Sequence, residues 1–363
     1  MEISKPRTFG GVDLVRFLSA AMVMLFHYGF WVWAYPKGQI AKAAGSVPST
    51  NSFFSYGWIG VEIFFVISGF IIAFSAQYST PTKFFEARVK RLVPAVIICA
   101  PVTFAVIAFC GIETIQHNLF VLFRTLVFWP FGPWIDSVYW TLGIEIAFYG
   151  IIWLLLLLGR FSKIEVVASG IGLLSCIYWI TLFTFGLKIG AESRLLDLLL
   201  IHHGCFFGLG VTIWLLRFQS RNLMRLLLFA FFSLGCALEI INAASVMASK
   251  VSMQISYVVP LVTFFSAVAF ICWTLMTRRL EHKALRPIGL MTYPLYLIHS
   301  VVGGYLLGRL ISAGLSYPAA IFYVSVTMVG VSWAIAIYLE PILKNAIGRF
   351  FRKSERFLPE GAR

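Results

Sequence analysis

The chain has 363 residues, of which 60% are apolar and only 12% are charged. A soluble protein of this length could not cover so much apolar surface with so few polar groups, so the composition indicates an integral membrane protein. The formal net charge of +14 could suggest a nucleic-acid-binding protein. Because no basic run is interleaved with aromatic residues as on a nucleic-acid surface, we expect basic loops beside a lipid bilayer and no nucleic-acid partner.

Apolar segments recur along the whole chain. A helix needs about 20 mostly apolar residues to cross a bilayer, so we predict an all-α polytopic membrane protein with about ten transmembrane helices. A shorter apolar stretch near 118–130 contains Arg124 and is expected to form a re-entrant or interfacial segment. The ten predicted spans cover roughly 10–33, 54–77, 92–111, 137–158, 164–187, 195–216, 223–246, 253–276, 287–310 and 316–342.

Basic residues are unevenly distributed over the predicted loops. With ten spans, both termini and every second connection lie on one side, which collects most of the 29 Lys and Arg residues. Because such residues accumulate in cytoplasmic loops, we predict that both termini are cytoplasmic. The first apolar run is too long for a signal peptide and is interrupted by Arg16, so we expect a retained helix. We divide the chain into a transmembrane domain, 1–347, and a basic cytoplasmic tail, 348–363.

Ionisable residues interrupt the first predicted helix. Arg16 and His27 are 11 residues apart, close to a whole number of turns, so they share a face and lie about 16 Å apart along the axis. Arg16 could simply reach the headgroups, and His27 could be a hydrogen-bonded core imidazole. Because ionisable residues inside spans are costly and usually functional, we interpret this face as the lining of a polar passage. We expect Asp13 to pair with Arg16 or with a nearby basic loop.

Two glutamates lie inside predicted spans. Glu62, in the outer part of the second helix, needs a partner or an aqueous cavity, whereas the neighbouring Gly57 and Gly60 are explained by close helix packing. Glu145 lies a third to halfway across the fourth helix, where a local hydrogen-bond donor could also account for it. Both are therefore candidate site residues.

Two further motifs contain polar groups at helical spacing. Arg88 and Arg91, one turn apart where the third helix enters the membrane, are explained either by ordinary anchoring or by a clamp for a polyphosphate. In the ninth helix, Tyr293, Tyr296 and His299 spread over part of one face, and hydrogen-bonded packing between helices is an alternative to a site role there.

No metal site or disulfide is predicted. The six cysteines fall in or beside apolar spans without a CxxC pair, as expected for small buried hydrophobic residues. No zinc-binding motif such as HExxH is present. His202 and His203 are adjacent, and adjacent helical residues point about 100° apart, so they cannot easily share one metal.

The predicted depths of these residues form a pattern. Arg16, Arg88 and Arg91 lie toward the cytoplasm, whereas the acids and His27 lie in the outer half, with His299 near the middle. Cations suited to phosphate on one side, and acids and bases on the other, predict a group transfer across the membrane. A phosphorylated donor would enter from inside, and an acceptor would be met outside.

These motifs resemble those of the acyltransferase-3 family of membrane acyltransferases. Arg16 and His27 match the family's Arg or Lys, ten residues, then His, and Arg88 and Arg91 match its Arg-x-x-Arg. Four further segments follow in family order, and the chain departs from one of them at Thr141, Gly143 and Ile146, where the family has two serines and a second glutamate. These segments are GWIGVEIFFVISGFII, YWTLGIEIAFY, TYPLYLIH and YLEP.

The resemblance implies a bacterial inner-membrane enzyme that takes an acyl group, most often acetyl, from acyl-CoA. It gives this group to a hydroxyl of a surface or secreted carbohydrate, such as an exopolysaccharide, an O-antigen or a lipid-linked glycan. On this basis His27 is the expected general base, or a nucleophile that carries the acyl group, and Glu145 or Glu62 is its partner. The alternative is a transporter or flippase of lipid-linked sugars, although we find no paired broken helices in two repeated halves. The expected donor-binding residues are Arg16, Arg88 and Arg91, and the expected substrate-binding or structural residues are Tyr293, Tyr296, His299 and Trp140.

Overall fold

The computed structural model describes residues 9–50, 52–186, 193–277, 280 and 282–355. Within these ranges all regular structure is helical, and nine helices are long and apolar enough to cross a membrane. In chain order the helices are α1 (Gly10–Ala34), α2 (Gln39–Ala44), α3 (Ser52–Ala76), α4 (Pro81–Phe109), α5 (Ile115–Leu126), α6 (Ser137–Leu157), α7 (Phe161–Phe185), α8 (Arg194–Leu198), α9 (Gly204–Phe218), α10 (Leu223–Val251), α11 (Val258–Thr277), α12 (Arg286–Ser312) and α13 (Tyr317–Arg352).

The sixth predicted span is broken rather than continuous. Its residues form the short helices α8 and α9, which are joined by a turn over 199–203 where Leu200 has a φ of 60°. A left-handed residue cannot continue a helix, and α9 alone has only 15 residues. The described part of the chain therefore has nine full-length candidate spans and one broken one, instead of ten continuous helices. The turn carries His202 and His203.

The stretch predicted not to span forms the short helix α5 and a following loop. One face of α5 exposes Leu119, Phe120 and Phe123, while Val121 is buried. An amphipathic helix of this kind is suited to lie along a membrane interface. Arg124, in the last turn of α5, donates hydrogen bonds to the carbonyl oxygens of residues 131 and 132, at 2.7 and 2.8 Å, and so ties the following loop to the helix.

Helices α1 and α3 contact each other closely through glycines. A Cβ atom on Gly57 would lie 2.2 Å from the Met22 carbonyl oxygen, and one on Gly60 would lie 2.3 Å from that of Ser19. Any side chain at these positions would push the helices apart, so the close packing predicted here is confirmed. The contact holds Glu62 of α3 beside the second half of α1.

Helix α12 is enclosed by its neighbours. Residues 291–304 are all buried, against α1, α2, α4 and α13. This stretch of the helix is buried on every side and lies in the interior of the bundle, and this placement puts His299 in the middle of the protein. At the other end of the chain, α13 runs continuously past the expected boundary at 347, and 356–363 lie outside the described residues. The division into domain and tail stays a prediction.

Candidate functional site

Two cavities lie at opposite ends of the same helices. The arginine cavity, of about 300 Å³, is lined by Asp13 and Arg16 of α1, and the histidine cavity, of about 480 Å³, by His27 further along that helix. Val61 and Tyr296 line both, so a single layer of side chains separates them. The arginine cavity also contains Arg88, Arg91, Glu145, Tyr149, Arg286 and Tyr293, and the histidine cavity contains Trp58, Glu62, Trp140, Asp197, His202, His203 and Glu239.

His27 lies where α1 changes its helical geometry. Residues His27–Trp31 form a π-helical turn, a rare feature that is frequent at functional sites. The ring of His27 is buried and contacts that of His299, with the His27 Nδ1 and His299 Nε2 atoms 3.0 Å apart. The sequence predicted Glu145 or Glu62 as the partner of His27, whereas the side chain hydrogen-bonded to its ring is His299 of α12. Glu62 lines the same cavity as His27, and its role as partner stays a prediction.

The hydrogen bonds of the pair define which ring nitrogens carry protons. His299 Nδ1 lies 3.1 and 2.9 Å from the carbonyl oxygens of Leu295 and Tyr296, which can only accept, so this nitrogen is the donor. In the neutral ring His299 Nε2 then accepts from His27 Nδ1, which also lies 2.9 Å from the Val23 carbonyl oxygen. The remaining nitrogen, His27 Nε2, keeps its lone pair. His27 is thus prepared to accept a proton in the histidine cavity.

Two residues that the sequence analysis missed hold His299 in place. Tyr28 donates a hydrogen bond to the His299 carbonyl oxygen at 2.7 Å, and a Cβ atom on Gly303 would lie 1.9 Å from the Tyr28 hydroxyl oxygen. Asp136 accepts from the Val301 N–H at 2.9 Å. Burial raises the pKa of Asp136 to about 6, against the hydrogen bonds that favour its charged form. Gly303 and Gly304, inside the ninth predicted span, were the signal in the sequence that another side chain could approach this helix so closely.

The arginine cavity holds its cations against aromatic rings. Arg88 lies 5.2 Å from the centre of the Phe84 ring and 5.4 Å from that of Tyr149, and Arg91 lies 5.1 Å from that of Tyr293. Stacking orients a guanidinium without neutralising it, so its N–H groups stay available for an anion. The shared face predicted for Arg88 and Arg91 is therefore present, and both arginines line the same cavity.

Asp13, which had no assigned role, is shared by two arginines of this cavity. Its carboxylate lies 4.0 Å from Arg16 Nη1 and 3.9 Å from Arg286 Nη1. These are the two kinds of partner that the sequence suggested, one on the same helix and one in a basic connection. With four arginines and only Asp13 and Glu145 as lining acids, the cavity carries an excess of positive charge.

Glu145 lies in the arginine cavity, away from His27. Its carboxylate accepts hydrogen bonds from the Ser68 hydroxyl at 3.2 Å and from the hydroxyl of Tyr149. The depth estimate placed Glu145 with His27 in the outer half, and this grouping is wrong because depth along a helix does not define which neighbours a side chain faces. Glu62 does line the histidine cavity together with His27, as expected.

Contacts near the start of α6 explain two departures from the family pattern. Thr141 keeps a hydroxyl and donates it to the Tyr296 hydroxyl at 3.2 Å. Gly143 makes room for Arg194, since a Cβ atom there would lie 2.6 Å from Arg194 Nη2. That same nitrogen donates to the Trp140 carbonyl oxygen at 2.7 Å, so Arg194 secures the start of α6 beside the histidine cavity.

His202 and His203 are brought together on Asp197. His202 Nδ1 lies 2.6 Å and His203 Nε2 lies 3.6 Å from the same Asp197 oxygen. The expectation that adjacent histidines diverge assumed a helix, and it is wrong because both lie at the turn between α8 and α9. Within the ranges that the structure describes, no cluster of three or more His, Cys, Asp or Glu side chains is arranged to hold a metal ion.

Comparison with known proteins places this architecture in a family. A family model described as an acyltransferase domain matches residues 9–339, which contain both cavities. The chain belongs to the acyltransferase-3 family. It is an integral membrane member, and both cavities lie inside the matched region.

Two curated relatives of this acyltransferase-3 chain are informative. The O-acetyltransferase OatA of Staphylococcus aureus is 26% identical over 233 residues, which cover 56% of this chain and 35% of the relative. The exopolysaccharide production protein ExoZ of Rhizobium meliloti is 34% identical over 112 residues, which cover 28% of this chain and 35% of that protein. The matched part thus amounts to about a third of each relative's length. No solved structure matches the chain.

Proposed function

We propose that this chain transfers an acyl group, in the simplest case acetyl, from acyl-CoA to a hydroxyl of a carbohydrate. The observation that carries the proposal is the pair of cavities that meet at Val61 and Tyr296, one rich in arginine and the other containing a histidine base. The family membership and the names of the two relatives, an O-acetyltransferase and an exopolysaccharide production protein, support acyl transfer to a sugar.

The donor occupies the arginine cavity in this proposal. Guanidinium groups bind phosphate oxygens through paired, charge-assisted hydrogen bonds, and Arg16, Arg88, Arg91 and Arg286 line this space. The phosphates of acyl-CoA lie against these cations, and the acyl-carrying arm points toward Tyr296. The excess positive charge of the cavity suits an anionic donor.

The acceptor hydroxyl lies against His27 in the histidine cavity. His27 Nε2 removes the hydroxyl proton while the sugar oxygen forms a bond to the thioester carbonyl carbon. The carbon–sulfur bond then breaks, and CoA leaves as a thiolate that takes the proton back from His27. His299 accepts a hydrogen bond from His27 throughout the reaction. This hydrogen bond becomes stronger when His27 is positively charged. Transfer through an acyl-His27 intermediate uses the same groups in two steps.

The orientation in the membrane follows from the charge asymmetry of the loops. We infer that the termini and the arginine cavity face the cytoplasm, where acyl-CoA is made, and that the histidine cavity faces the outer side of a bacterial inner membrane. Chemical labelling of single cysteines introduced at exposed positions of α5 and of the last two turns of α13 in intact cells would test this orientation. Labelling of the last turns of α13 from outside would contradict it.

The proposal is tested with the purified chain in nanodiscs, radiolabelled acetyl-CoA and a panel of glycans. We expect labelled O-acetyl product from the natural chain and a loss of about 10²- to 10⁴-fold from His27→Ala, because a general base typically contributes that much. The matched control is His117→Ala, an exposed histidine on α5. Normal product from His27→Ala would refute the base assignment, and glycan movement across the membrane without acetyl-CoA would favour the transporter alternative.

A further inference from the structure

One wall of the histidine cavity contains an unusual number of polar groups without partners. Within the part of the chain that the structure describes, buried atoms of Trp58, Glu62, Glu239, His202 and His203 lack hydrogen-bond partners. They are Trp58 Nε1, Glu62 Oε2, Glu239 Oε2, His202 Nε2 and His203 Nδ1. We call these five residues the acceptor wall. Each is at least nine-tenths buried, and all five line the same cavity.

Leaving buried polar groups unpaired is unfavourable, so the wall indicates a ligand that pairs them. The carboxylate oxygens need donors, and His202 Nε2 needs one too, because His202 donates its other ring proton to Asp197. Trp58 can only donate and needs an acceptor. A hydroxyl group is both a donor and an acceptor, so a molecule with several neighbouring hydroxyls satisfies this mixed set.

Flat apolar surface accompanies the polar groups. The indole rings of Trp31, Trp58, Trp140 and Trp179 line the same cavity. An aromatic ring offers a broad apolar face together with a polar edge, which matches a pyranose ring, with its C–H faces and its rim of hydroxyls. The cavity volume of about 480 Å³ is in the usual range for a small-molecule site and holds at least one sugar ring.

The charges of the cavity define which sugars it accepts. Asp197 is paired with Arg194 at 3.4 Å and with His202 at 2.6 Å. Glu62 and Glu239 have no ion-pair partner among the described residues, and Lys250 is the lining lysine. A ligand carboxylate in this cavity would have no buried lysine or arginine among the described lining residues to neutralise it, since Lys250 is exposed, and this disfavours anionic sugars.

We propose that the acceptor wall is a sugar subsite that selects an uncharged pyranose with adjacent free hydroxyls and excludes uronates. The subsite rests on the proposed function, because it presents one hydroxyl of that sugar to His27 Nε2. Glu239 lies on α10, away from the motifs that suggested the function, and becomes the acid that recognises the acceptor. Glu62, on α3, contributes the second carboxyl group.

The experiment measures binding of three probes to the full chain in nanodiscs without any donor: methyl β-glucopyranoside, methyl β-glucuronide and methyl β-glucosaminide. The cavity tryptophans report binding by a change in fluorescence. For the natural chain we expect the glucoside to bind at least about tenfold more tightly than the glucuronide. Equal or tighter binding of the glucuronide would overturn the proposal. Much tighter binding of the positively charged glucosaminide would also overturn it, since the acids would then form a cation site.

Two variants separate charge from hydrogen bonding. We expect Glu239→Gln, which keeps an oxygen acceptor but cannot ionise, to retain glucoside binding within a few-fold and to reduce the difference in affinity between the glucoside and the glucuronide. Glu239→Leu removes both the ionisable group and the oxygen acceptor, and it should weaken glucoside binding about tenfold or more. The control is Glu113→Gln, at an exposed acid outside the cavity, and it should change neither the affinity for the glucoside nor that for the glucuronide. Unchanged glucoside binding by Glu239→Leu would refute the assignment.

The two proposals fail in different ways. Selective sugar binding without any acyl transfer would refute the enzyme function and leave the subsite standing. Acyl transfer that favours uronates, or that is insensitive to Glu239→Leu, would refute the subsite and leave the enzyme standing. Because binding is measured without donor, a defect in the arginine cavity cannot mimic a loss of sugar binding.

Discussion

Replacing His299 tests whether the histidine pair acts as a unit. When His27 accepts a proton, its hydrogen bond to His299 Nε2 changes from a neutral bond to a charge-assisted one. Bonds to charged groups contribute about 1.5–3 kcal/mol and neutral ones about 0.5–1.5 kcal/mol. The difference, roughly 1–1.5 kcal/mol, is lost in the transition state of His299→Leu. Since about 1.4 kcal/mol corresponds to tenfold in rate, we expect kcat to fall about tenfold.

The decrease in kcat caused by His299→Leu should be much smaller than the decrease caused by His27→Ala. In His299→Leu the His27 Nδ1 proton can still be donated to the Val23 carbonyl oxygen, 2.9 Å away, so Nε2 remains the basic nitrogen. The matched substitution His299→Gln supplies an amide oxygen as acceptor and should cost less than His299→Leu. The donor KM should not change in either variant, because His299 does not line the arginine cavity.

The assay is single-turnover transfer of labelled acetyl groups to a methyl glycoside, for the single variants and for the double variant His27→Ala/His299→Leu. If His299 acts through His27, the double variant is no slower than His27→Ala alone, since residues that act as a unit are not additive. Fully additive losses, or a loss in His299→Leu as large as that in His27→Ala, would refute this reasoning. Equal losses in His299→Leu and His299→Gln would show that packing alone is affected.

Three other substitutions test the surroundings of the site. Gly303→Ala would place a methyl group against the Tyr28 hydroxyl and should lower kcat about tenfold by displacing His299, measured by acyl transfer at saturating donor. Arg88→Lys keeps the charge but loses the planar stacking and should raise the donor KM about tenfold with little change in kcat. Gly143→Ser should displace Arg194 and lower the free energy of unfolding by about 1–3 kcal/mol, measured by denaturant or thermal unfolding in detergent.

Each of these substitutions has a matched control elsewhere in the chain. Gly330→Ala and Gly150→Ser add side chains into open space and should be close to neutral. Arg309→Lys exchanges an exposed arginine on α12 that lies outside both cavities, so the donor KM should not change. A loss in a control as large as in its test variant would mean that the effect is general destabilisation rather than a change at the site.

Most of the helical architecture was predictable because hydrophobic length is a local property. A bilayer requires about 20 apolar residues per crossing, and this requirement located the nine long helices and excluded 118–130 as a span. The break over 199–203 was not predictable, because its residues are apolar enough to continue a helix and only Leu200 in a left-handed conformation interrupts it. From the sequence, His202 and His203 were therefore expected to point apart rather than to act together.

The residues of the candidate site were predicted more accurately from the sequence than the contacts between them. His27, Arg88 and Arg91 line the cavities in which a base and a phosphate clamp are useful. Their partners were misassigned, because Glu145 was grouped with His27 by depth, whereas it accepts hydrogen bonds from Ser68 and a tyrosine in the other cavity. The depth of a residue in the membrane can be estimated from its position along one helix. The rotation of that helix against its neighbours cannot be estimated in this way.

The sequence by itself determined that this is a helical membrane protein of the acyltransferase-3 type, because spans, loop charge and motif spacing are all written along one chain. Only the tertiary structure decided that His27 pairs with His299 and that Glu239 faces the same cavity, since these residues are separated by more than 200 positions from His27. Such pairs depend on how α1, α10 and α12 are rotated against each other. That rotation is decided by packing over the whole bundle, such as the contact of Gly303 with Tyr28.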